Sequence, residues 1–350
     1  MRGRPGGPAL RPGIYPDGPA GGTLSAEPSE RPPRATSESP PGSPSAGTAP
    51  CEDVPLPAPW KGVTVELRFC SYQYQRDPIP VLRARWRAAE ELGFDVLWNV
   101  DTVVEPDRPH RPILDGPSTL AVMAAGTSTI RVGTLVSSLY FRIPVTLATA
   151  TVTVDHLSAG RVELALGVGD PAAGARPAGI DWPARERVER FREFVELTDL
   201  LLRQETTTFR GRFYRCDAIE SLPRPVQAPR PPITIAAHGP KMLRIAAELA
   251  DGWSSWGGYD VETEEDYLSV TRDRSARFDD LCVSAGRDPS SIRHSLVCFP
   301  PLRPWESVGY FEDLVGRFRA IGIDEFVLYW PATGGTSPTR TRCSKRSAAP

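Results

Sequence analysis

The sequence predicts an α/β fold of the (β/α)8 barrel class, also called a TIM barrel. Eight short β-rich segments alternate with stretches of helical periodicity over residues 61–330 of the 350-residue chain. Most of these segments are apolar throughout, as expected of parallel strands that are buried on both faces. The first strand ends in RFCSYQYQ, without the G-x-G-x-x-G motif of an open dinucleotide-binding sheet. The alternation therefore favours a closed barrel.

The elements follow from local patterns. The clearest helix covers Arg185–Leu202, where apolar residues recur every three to four positions. A second apolar stripe runs from Phe311 to Ile321. Gly93 and Gly322 stand at the C-cap position of a helix, directly before a strand. The predicted strands are Val63–Phe69, Phe94–Trp98, Ile130–Ser137, Val162–Val168, Ile233–Ala236, Gly252–Trp256, Ser295–Phe299 and Glu325–Tyr329.

Three parts of the chain depart from this alternation. Residues 1–60 hold 15 of the 38 prolines, and such a segment buries too little apolar surface to offset its chain entropy. We expect residues 1–58 to be disordered, residues 59–330 to form the barrel domain, and residues 331–350 to be a disordered tail. The eighth helix is then missing. Residues 206–230, rich in proline, are predicted to be an excursion before the fifth strand.

Composition excludes several classes of function. The net charge of −2 gives no reason to expect nucleic acid as a partner. No stretch approaches the run of about 20 apolar residues that a membrane helix needs, and the N-terminus lacks a secretory signal pattern. The six cysteines and four histidines are scattered without metal-ligand spacing. We therefore expect a cytoplasmic protein with reduced thiols, no metal and no membrane contact.

In a barrel of this kind, functional residues lie in the loops that follow the strands. Asp101 follows the second strand and could orient a ligand, hold a proton or simply cap the loop. Gly169 and Asp170 follow the fourth strand, where glycine permits close backbone approach to a flat ring. Tyr72 and Tyr74 follow the first strand and could line a pocket or pack; Trp256, at the end of the sixth, is a further pocket candidate.

The fifth strand leads directly into a helix start at Ala237-His238-Gly239-Pro240-Lys241. Proline suits the first helical position, and a helix N-terminus with free N–H groups and a nearby lysine favours a phosphate. An ordinary helix start with a solvated lysine is the alternative. His156 and Arg161 precede the fourth strand, at the opposite end of the barrel, so we interpret them as structural.

Four motifs in this order resemble the bacterial luciferase-like family of flavin-dependent oxidoreductases, which includes enzymes that use a deazaflavin instead of FMN. They are ELGFDVLW-x-x-D (91–101), TSTIRVGTLV (127–136), DHLSAGRVELALGVG (155–169) and PPITIAAHGPKMLRIAAELADGW (231–253). The resemblance covers about residues 61–330. It implies a barrel that carries its cofactor at the C-terminal mouth.

The resemblance also assigns roles to particular residues. Leu135 and Val136 match a bulge on the third strand, often with a non-proline cis peptide, that backs the isoalloxazine ring. Ala237, His238 and Gly239 match the loop that holds the cofactor phosphate, with Lys241 beside it, and Gly169 and Asp170 complete the cofactor-binding set. The family usually has a histidine after the acidic residue that follows strand two, where this chain has Thr102. Asp101 and Thr102 are accordingly the catalytic candidates.

The function implied is hydride or oxygen chemistry carried out by the cofactor. We expect a monooxygenase that acts on a small organic substrate with reduced FMN and oxygen. The alternative is a reductase or dehydrogenase that depends on the deazaflavin coenzyme F420. A degenerate, non-catalytic flavin-binding barrel is an alternative of another class. The resemblance also allows two protein partners, a separate flavin reductase and a second copy of the chain in a homodimer.

Overall fold

The computed structural model describes residues 66–104, 110–170 and 174–330. Eight parallel strands close into a barrel with the order β1-β10-β9-β8-β7-β4-β3-β2, which confirms the predicted fold class. The barrel strands are β1 (Arg68–Tyr72), β2 (Val96–Asn99), β3 (Arg131–Ser138), β4 (Val162–Gly167), β7 (Ile233–Ala236), β8 (Gly252–Ser255), β9 (Arg293–Cys298) and β10 (Glu325–Tyr329). The remaining two strands, β5 (Thr206–Arg210) and β6 (Arg215–Glu220), form an antiparallel hairpin.

Seven helices connect the barrel strands in the described part of the chain. They are α1 (Ile79–Glu91), α2 (Gly116–Ala125), α3 (Pro144–Leu157), α4 (Ala184–Arg203), α5 (Pro240–Leu249), α6 (Glu264–Ser284) and α7 (Val308–Arg319). The helix at 185–202 and the apolar stripe at 311–321 are confirmed as α4 and α7. The expected disordered segment 1–58, the tail 331–350 and the missing eighth helix lie outside the described residues.

Two details differ from the sequence prediction. Within the described residues the first strand begins at Arg68 and extends to Tyr72, because its register with β10 runs over these residues. The first three residues of the predicted strand, 63–65, lie outside the described part of the chain. The excursion before the fifth barrel strand is the β5–β6 hairpin, whose strands carry more exposed positions than those of the barrel.

The core lies in two layers, one inside the barrel and one between the barrel and its helices. Inside, Trp98 packs against Gly133, where an added Cβ would lie 2.2 Å from the Trp98 ring. Outside, α4 buries Phe191, Phe194 and Leu201 completely or nearly so. Burying such side chains contributes about 1.5–3 kcal/mol each. These contacts hold the strands, and therefore the loops at their ends, in fixed positions.

The N-terminal end of the barrel is closed by ion pairs. Glu163 on β4 accepts hydrogen bonds from Arg68 on β1, at 2.7 Å, and from Arg131 on β3. Burial alone would raise the pKa of Glu163, but the two guanidinium groups lower it to about 2. Arg161 donates to backbone carbonyls of Ala124, Thr127, Ile130 and Ser158. The structural role predicted for Arg161 fits this geometry.

Every helix in the described ranges is too short or too polar to cross a bilayer. Four described cysteines, Cys70, Cys216, Cys282 and Cys298, are free and buried. Burial raises the pKa of the Cys282 thiol to about 11, so this group is a packed, protonated thiol.

Candidate active site

The C-terminal ends of β1, β2, β3 and β4 surround a cavity of about 190 Å³. Eight of the predicted site residues line it: Tyr72, Tyr74, Asp101, Thr102, Leu135, Val136, Gly169 and Asp170. Val100, Val104, Ser138, Phe141 and Gly174 complete the described lining. The structure therefore places the predicted residues from the ends of four strands around a single cavity.

On β3, the side chains of Leu135 and Val136 give this cavity an apolar lining. The Leu135–Val136 peptide is cis, and the register between β3 and β4 shifts between Thr134 and Ser137, as the resemblance implied. Val136 lies over Gly167, where an added Cβ would be 2.6 Å from the Val136 side chain. Gly169 has a φ of +85°, and a Cβ there would meet the Ser138 hydroxyl at 2.4 Å. Only glycine keeps this surface open.

Asp101 is buried beside a partner that the sequence analysis did not assign. Arg142, in the loop after β3, donates from Nε to Oδ2 at 2.8 Å and from Nη2 to Oδ1 at 2.6 Å. The same Nη2 also donates to Asp115 at 2.7 Å. Burial raises the pKa of Asp101, and the Arg142 guanidinium opposes that rise. Both carboxylate oxygens are thus occupied, so Asp101 acts here as an anchor for the loops rather than as an unpaired base.

Thr102 stands where the family usually has a histidine. Its hydroxyl donates to the backbone carbonyl of Val104 at 2.8 Å. A threonine hydroxyl does not titrate at physiological pH, so it cannot serve as a general acid or base in the way that a histidine can. Proton transfer at this mouth therefore needs other groups.

Tyrosine hydroxyls are the polar groups that remain on the β1 side. The Tyr72 hydroxyl donates to the Leu135 carbonyl at 3.3 Å. Tyr74 packs edge-on against Tyr72 and stacks on Tyr329, with ring centroids 5.6 Å apart in both pairs. Burial raises the pKa of both Tyr72 and Tyr329, so these phenols stay protonated. Tyr329 was missed, although it is the last residue of the predicted eighth strand, because nothing in the sequence indicates that its ring reaches Tyr74.

The loop after β7 has the form predicted for a phosphate site. Ala237 is fixed between its neighbours: its N–H donates to Ser254 O at 3.0 Å, and its carbonyl accepts from Trp253 Nε1 at 2.8 Å. Helix α5 then begins after Gly239, and no side chain caps it. The backbone N–H groups of Lys241 and Met242 therefore have no partner within the helix. The Lys241 side chain is exposed.

His238 is a neutral member of this loop. Its Nε2 accepts a hydrogen bond from the backbone N–H of Trp256 at 3.3 Å. Burial, with a smaller effect of Arg274, lowers the pKa of His238 to about 4. The ring is therefore uncharged at neutral pH and positions the loop through this bond. It adds no positive charge for an anion.

Trp256 does not line the cavity, although we predicted it as a pocket residue. Its ring packs edge-on against His238 at 5.6 Å, Tyr259 at 4.9 Å and Phe299 at 5.6 Å between centroids. The Tyr259 hydroxyl hydrogen-bonds Asp170, which does line the cavity. This chain of contacts connects the loop after β7 with the cavity, and the two form one mouth.

A larger hollow of about 1090 Å³ lies at the opposite end of the barrel. Its described lining includes Arg68, Glu163, Arg293 and Asp324, which are the paired charges that close the N-terminal end. Ligands of (β/α)8 barrels bind at the C-terminal ends of the strands. We therefore assign the site to the smaller cavity, in spite of its size.

A closed (β/α)8 barrel with a cavity at the C-terminal ends of its strands, beside an uncapped helix start, has the architecture of a barrel oxidoreductase. The family model described as luciferase-like monooxygenase matches residues 63–303, and the chain belongs to this family. In the described residues, no group of three or more histidine, cysteine, aspartate or glutamate side chains could hold a metal ion.

Curated relatives span several activities. An F420-dependent glucose-6-phosphate dehydrogenase of Intrasporangium calvum is 33% identical over 234 residues, which are 61% of this chain and 68% of that protein. An F420-dependent hydroxymycolic acid dehydrogenase of Mycobacterium tuberculosis is 29% identical over 279 residues, or 77% and 71% of the two chains. A 5,10-methylenetetrahydromethanopterin reductase of Archaeoglobus fulgidus is 33% identical over 166 residues, or 47% and 46%.

Solved structures share the fold. An F420-dependent secondary alcohol dehydrogenase in complex with an F420-acetone adduct superposes with a TM-score of 0.65 at 17% identity, covering 75% of this chain and 93% of that one. The coenzyme F420-dependent tetrahydromethanopterin reductase of Methanopyrus kandleri gives a TM-score of 0.62 at 17% identity, covering 76% and 94%. At 17% identity, this similarity supports a shared barrel fold and says nothing about a shared substrate.

Proposed function

We propose that the protein is an F420-dependent oxidoreductase that transfers a hydride between the deazaflavin coenzyme and a small organic substrate. The observation that carries this proposal is the joint presence, at one mouth, of the apolar lining at Leu135 and Val136 and the uncapped start of α5. A flavin-type cofactor needs both a surface for its ring and donors for its phosphate. The F420-dependent relatives named above support the deazaflavin over FMN.

The residues present fit such a cofactor. Leu135 and Val136 would back the ring, and Gly169, which packs closely on Ser138, would border it. The loop 237–239 and the N–H groups of Lys241 and Met242 would hold the phosphate. When bound, the deazaflavin supplies two-electron hydride chemistry. The protein orients the ring, excludes water and positions the substrate oxygen.

Reduced FMN with oxygen is the second candidate, because the matching family model is described as a monooxygenase. In that case a separate flavin reductase would supply the reduced cofactor. We also propose, as finer expectations, a cytoplasmic location, a small-molecule substrate and a homodimer. Four free, buried cysteines support a reducing compartment.

Equilibrium titration of the purified protein with F420 and with FMN tests the proposal. We expect F420 to bind at least tenfold more tightly, and bound reduced F420 to persist without oxygen uptake. Preference for FMN together with substrate-dependent oxygen uptake would establish the monooxygenase instead. A protein that binds neither cofactor would rule out both enzymatic proposals, and one that binds a flavin without any turnover would be the non-catalytic flavin-binding barrel.

A further inference from the structure

One side of the cavity is a cluster of three tyrosines, which we call the tyrosine wall: Tyr72, Tyr74 and Tyr329. Tyr72 and Tyr74 line the cavity, and Tyr329 backs Tyr74. The Tyr74 hydroxyl interacts with the hydroxyls of both Tyr72 and Tyr329. The tyrosine wall therefore holds its hydroxyls close together at the ends of β1 and β10, and the Tyr72 hydroxyl reaches β3 by donating to the Leu135 carbonyl.

The tyrosine wall is neutral, and its hydroxyls both donate and accept hydrogen bonds. Arg76 lies against it, with its guanidinium carbon 3.9 Å from the centroid of the Tyr74 ring, and it also interacts with the Tyr329 hydroxyl. Burial keeps Tyr72 and Tyr329 protonated by raising their pKa values. A substrate at this wall meets phenol groups rather than an ionised side chain.

The charges around the cavity disfavour a charged substrate of either sign. None of the described lining residues is a cation, and two of them, Asp101 and Asp170, are carboxylic. An anion such as a sugar phosphate would face these carboxylates without a cation in the lining. A cation would face two guanidinium groups just behind the lining, Arg142 on Asp101 and Arg76 on Tyr74. Aromatic and aliphatic side chains make up most of the rest of the surface.

We propose that the tyrosine wall makes this site specific for an uncharged, largely apolar alcohol or carbonyl compound, whose oxygen it recognises by a hydrogen bond from the Tyr74 hydroxyl, since the Tyr72 hydroxyl already donates to Leu135. The proposal rests on the proposed function in placing the substrate in this cavity beside the cofactor ring. It separates this chain from a relative that acts on glucose 6-phosphate, although the two share the family. Tyr74 is then a specificity-determining residue.

Isothermal titration calorimetry with three simple probes tests this specificity, on the protein with and without F420. Cyclohexanol represents the proposed class, glucose 6-phosphate the anions and cyclohexylammonium the cations. We expect cyclohexanol to bind at least tenfold more tightly than either charged probe. Tighter or equal binding of glucose 6-phosphate or of cyclohexylammonium would overturn the proposal, and so would the absence of binding by all three.

The variant Tyr74→Phe tests the role of the hydroxyl while keeping the stacked ring. Loss of one hydrogen bond should weaken cyclohexanol binding about threefold to tenfold and leave the binding of cyclohexene, which lacks the oxygen, unchanged. Tyr214→Phe is the matched control, because Tyr214 packs against Phe194 of α4 and does not line the cavity. Equal effects of Tyr74→Phe on both ligands would show that Tyr74 serves only packing.

The same samples separate this proposal from the proposed function. If F420 does not bind but cyclohexanol is selected and depends on the Tyr74 hydroxyl, the tyrosine wall is confirmed and the cofactor assignment is wrong. If F420 binds tightly and the probes show no such selectivity, the cofactor assignment stands and the tyrosine wall is wrong.

Discussion

The two ends of the barrel have different roles, closure at the N-terminal end and ligand binding at the C-terminal end, and they use different side chains for them. At the N-terminal end, Glu163 is buried between Arg68 and Arg131, and every one of these charges has a partner. At the C-terminal mouth, Arg142 pairs with Asp101 and Asp115 and fixes the loops, while most of the side chains that line the cavity are uncharged. Matched charges close one end, and uncharged donors, apolar walls and backbone N–H groups serve binding at the other.

The comparison predicts the largest effect for Glu163→Gln. This change removes the carboxylate that Arg68 and Arg131 share, in a site where Glu163 is 4% exposed, and leaves Arg68 only the more distant Glu325 at 3.4 Å. Breaking a buried pair from one side costs about 3–5 kcal/mol of unfolding free energy. Urea denaturation measures the loss, and F420 affinity of the folded fraction should stay within twofold of the wild type. A loss of affinity with unchanged stability would show that the N-terminal end belongs to the site.

His294, also at the N-terminal end, should make the free energy of unfolding depend on pH by roughly 3 kcal/mol. Burial lowers the pKa of His294 from 6.5 to about 4 in the folded protein. The unfolded chain therefore binds more protons between these values, and stability that is complete above pH 6.5 is lost as the pH falls towards 4. Replacing it by phenylalanine, which keeps the packing between Trp253 and Phe278, should flatten that slope.

Two carboxyl groups beside His294 could mask this effect: Asp279, whose Oδ1 lies 3.6 Å from His294 Nε2, and Asp324. Asp324 is half-buried, and burial raises its pKa to about 7. It therefore titrates in the opposite sense, since the folded state loses stability as the pH rises through that range. Because both carboxyl groups are present in both proteins, the difference between wild type and His294→Phe isolates the histidine. Parallel stability curves from pH 7 to 4 would contradict the assignment.

At the mouth, Gly239→Val should weaken F420 affinity at least tenfold, which is about 1.4 kcal/mol. An added Cβ at Gly239 meets no protein atom within 4 Å, so the fold should tolerate valine. A ligand phosphate that approaches the backbone would instead meet the new side chain. Fluorescence titration with F420 measures the affinity, and thermal unfolding checks the fold.

Arg161→Ala is the control from the other end of β4. It removes the hydrogen bonds that tie the chain before β4 to the end of α2, so the melting temperature should fall while F420 affinity is retained. The opposite pattern, with affinity lost in Arg161→Ala and kept in Gly239→Val, would mean that the barrel had been oriented the wrong way round.

The fold was accessible from sequence because its signals are local and repeated. The apolar strand at 162–168 and the amphipathic helix at 185–202 can each be recognised from a short window of sequence. The β1 boundary was not accessible, because pairing with β10 and β2 decides it. That information lies far away in the chain.

The sequence predicted which residues lie at the candidate site but not which of them contact one another. Asp101 and Tyr74 could be placed at the mouth by the rule that loops after strands carry function. The pairing of Asp101 with Arg142, 41 residues away, and the contact of Tyr74 with Tyr329 depend on how neighbouring loops fold over the barrel. No spacing rule connects such residues.

The smallest effect is expected at Lys241, which tests how the mouth attracts an anion. The side chain is exposed, so water and salt screen its charge. A lysine near a helix N-terminus should add only about twofold to fivefold to the affinity for a phosphate group. Lys241→Ala should therefore weaken F420 binding less than Gly239→Val, and the difference from wild type should shrink as salt is raised. A loss that exceeds tenfold and persists at high salt would mean that the lysine contacts the phosphate directly, and that side-chain charge, rather than backbone N–H groups, dominates binding at this mouth.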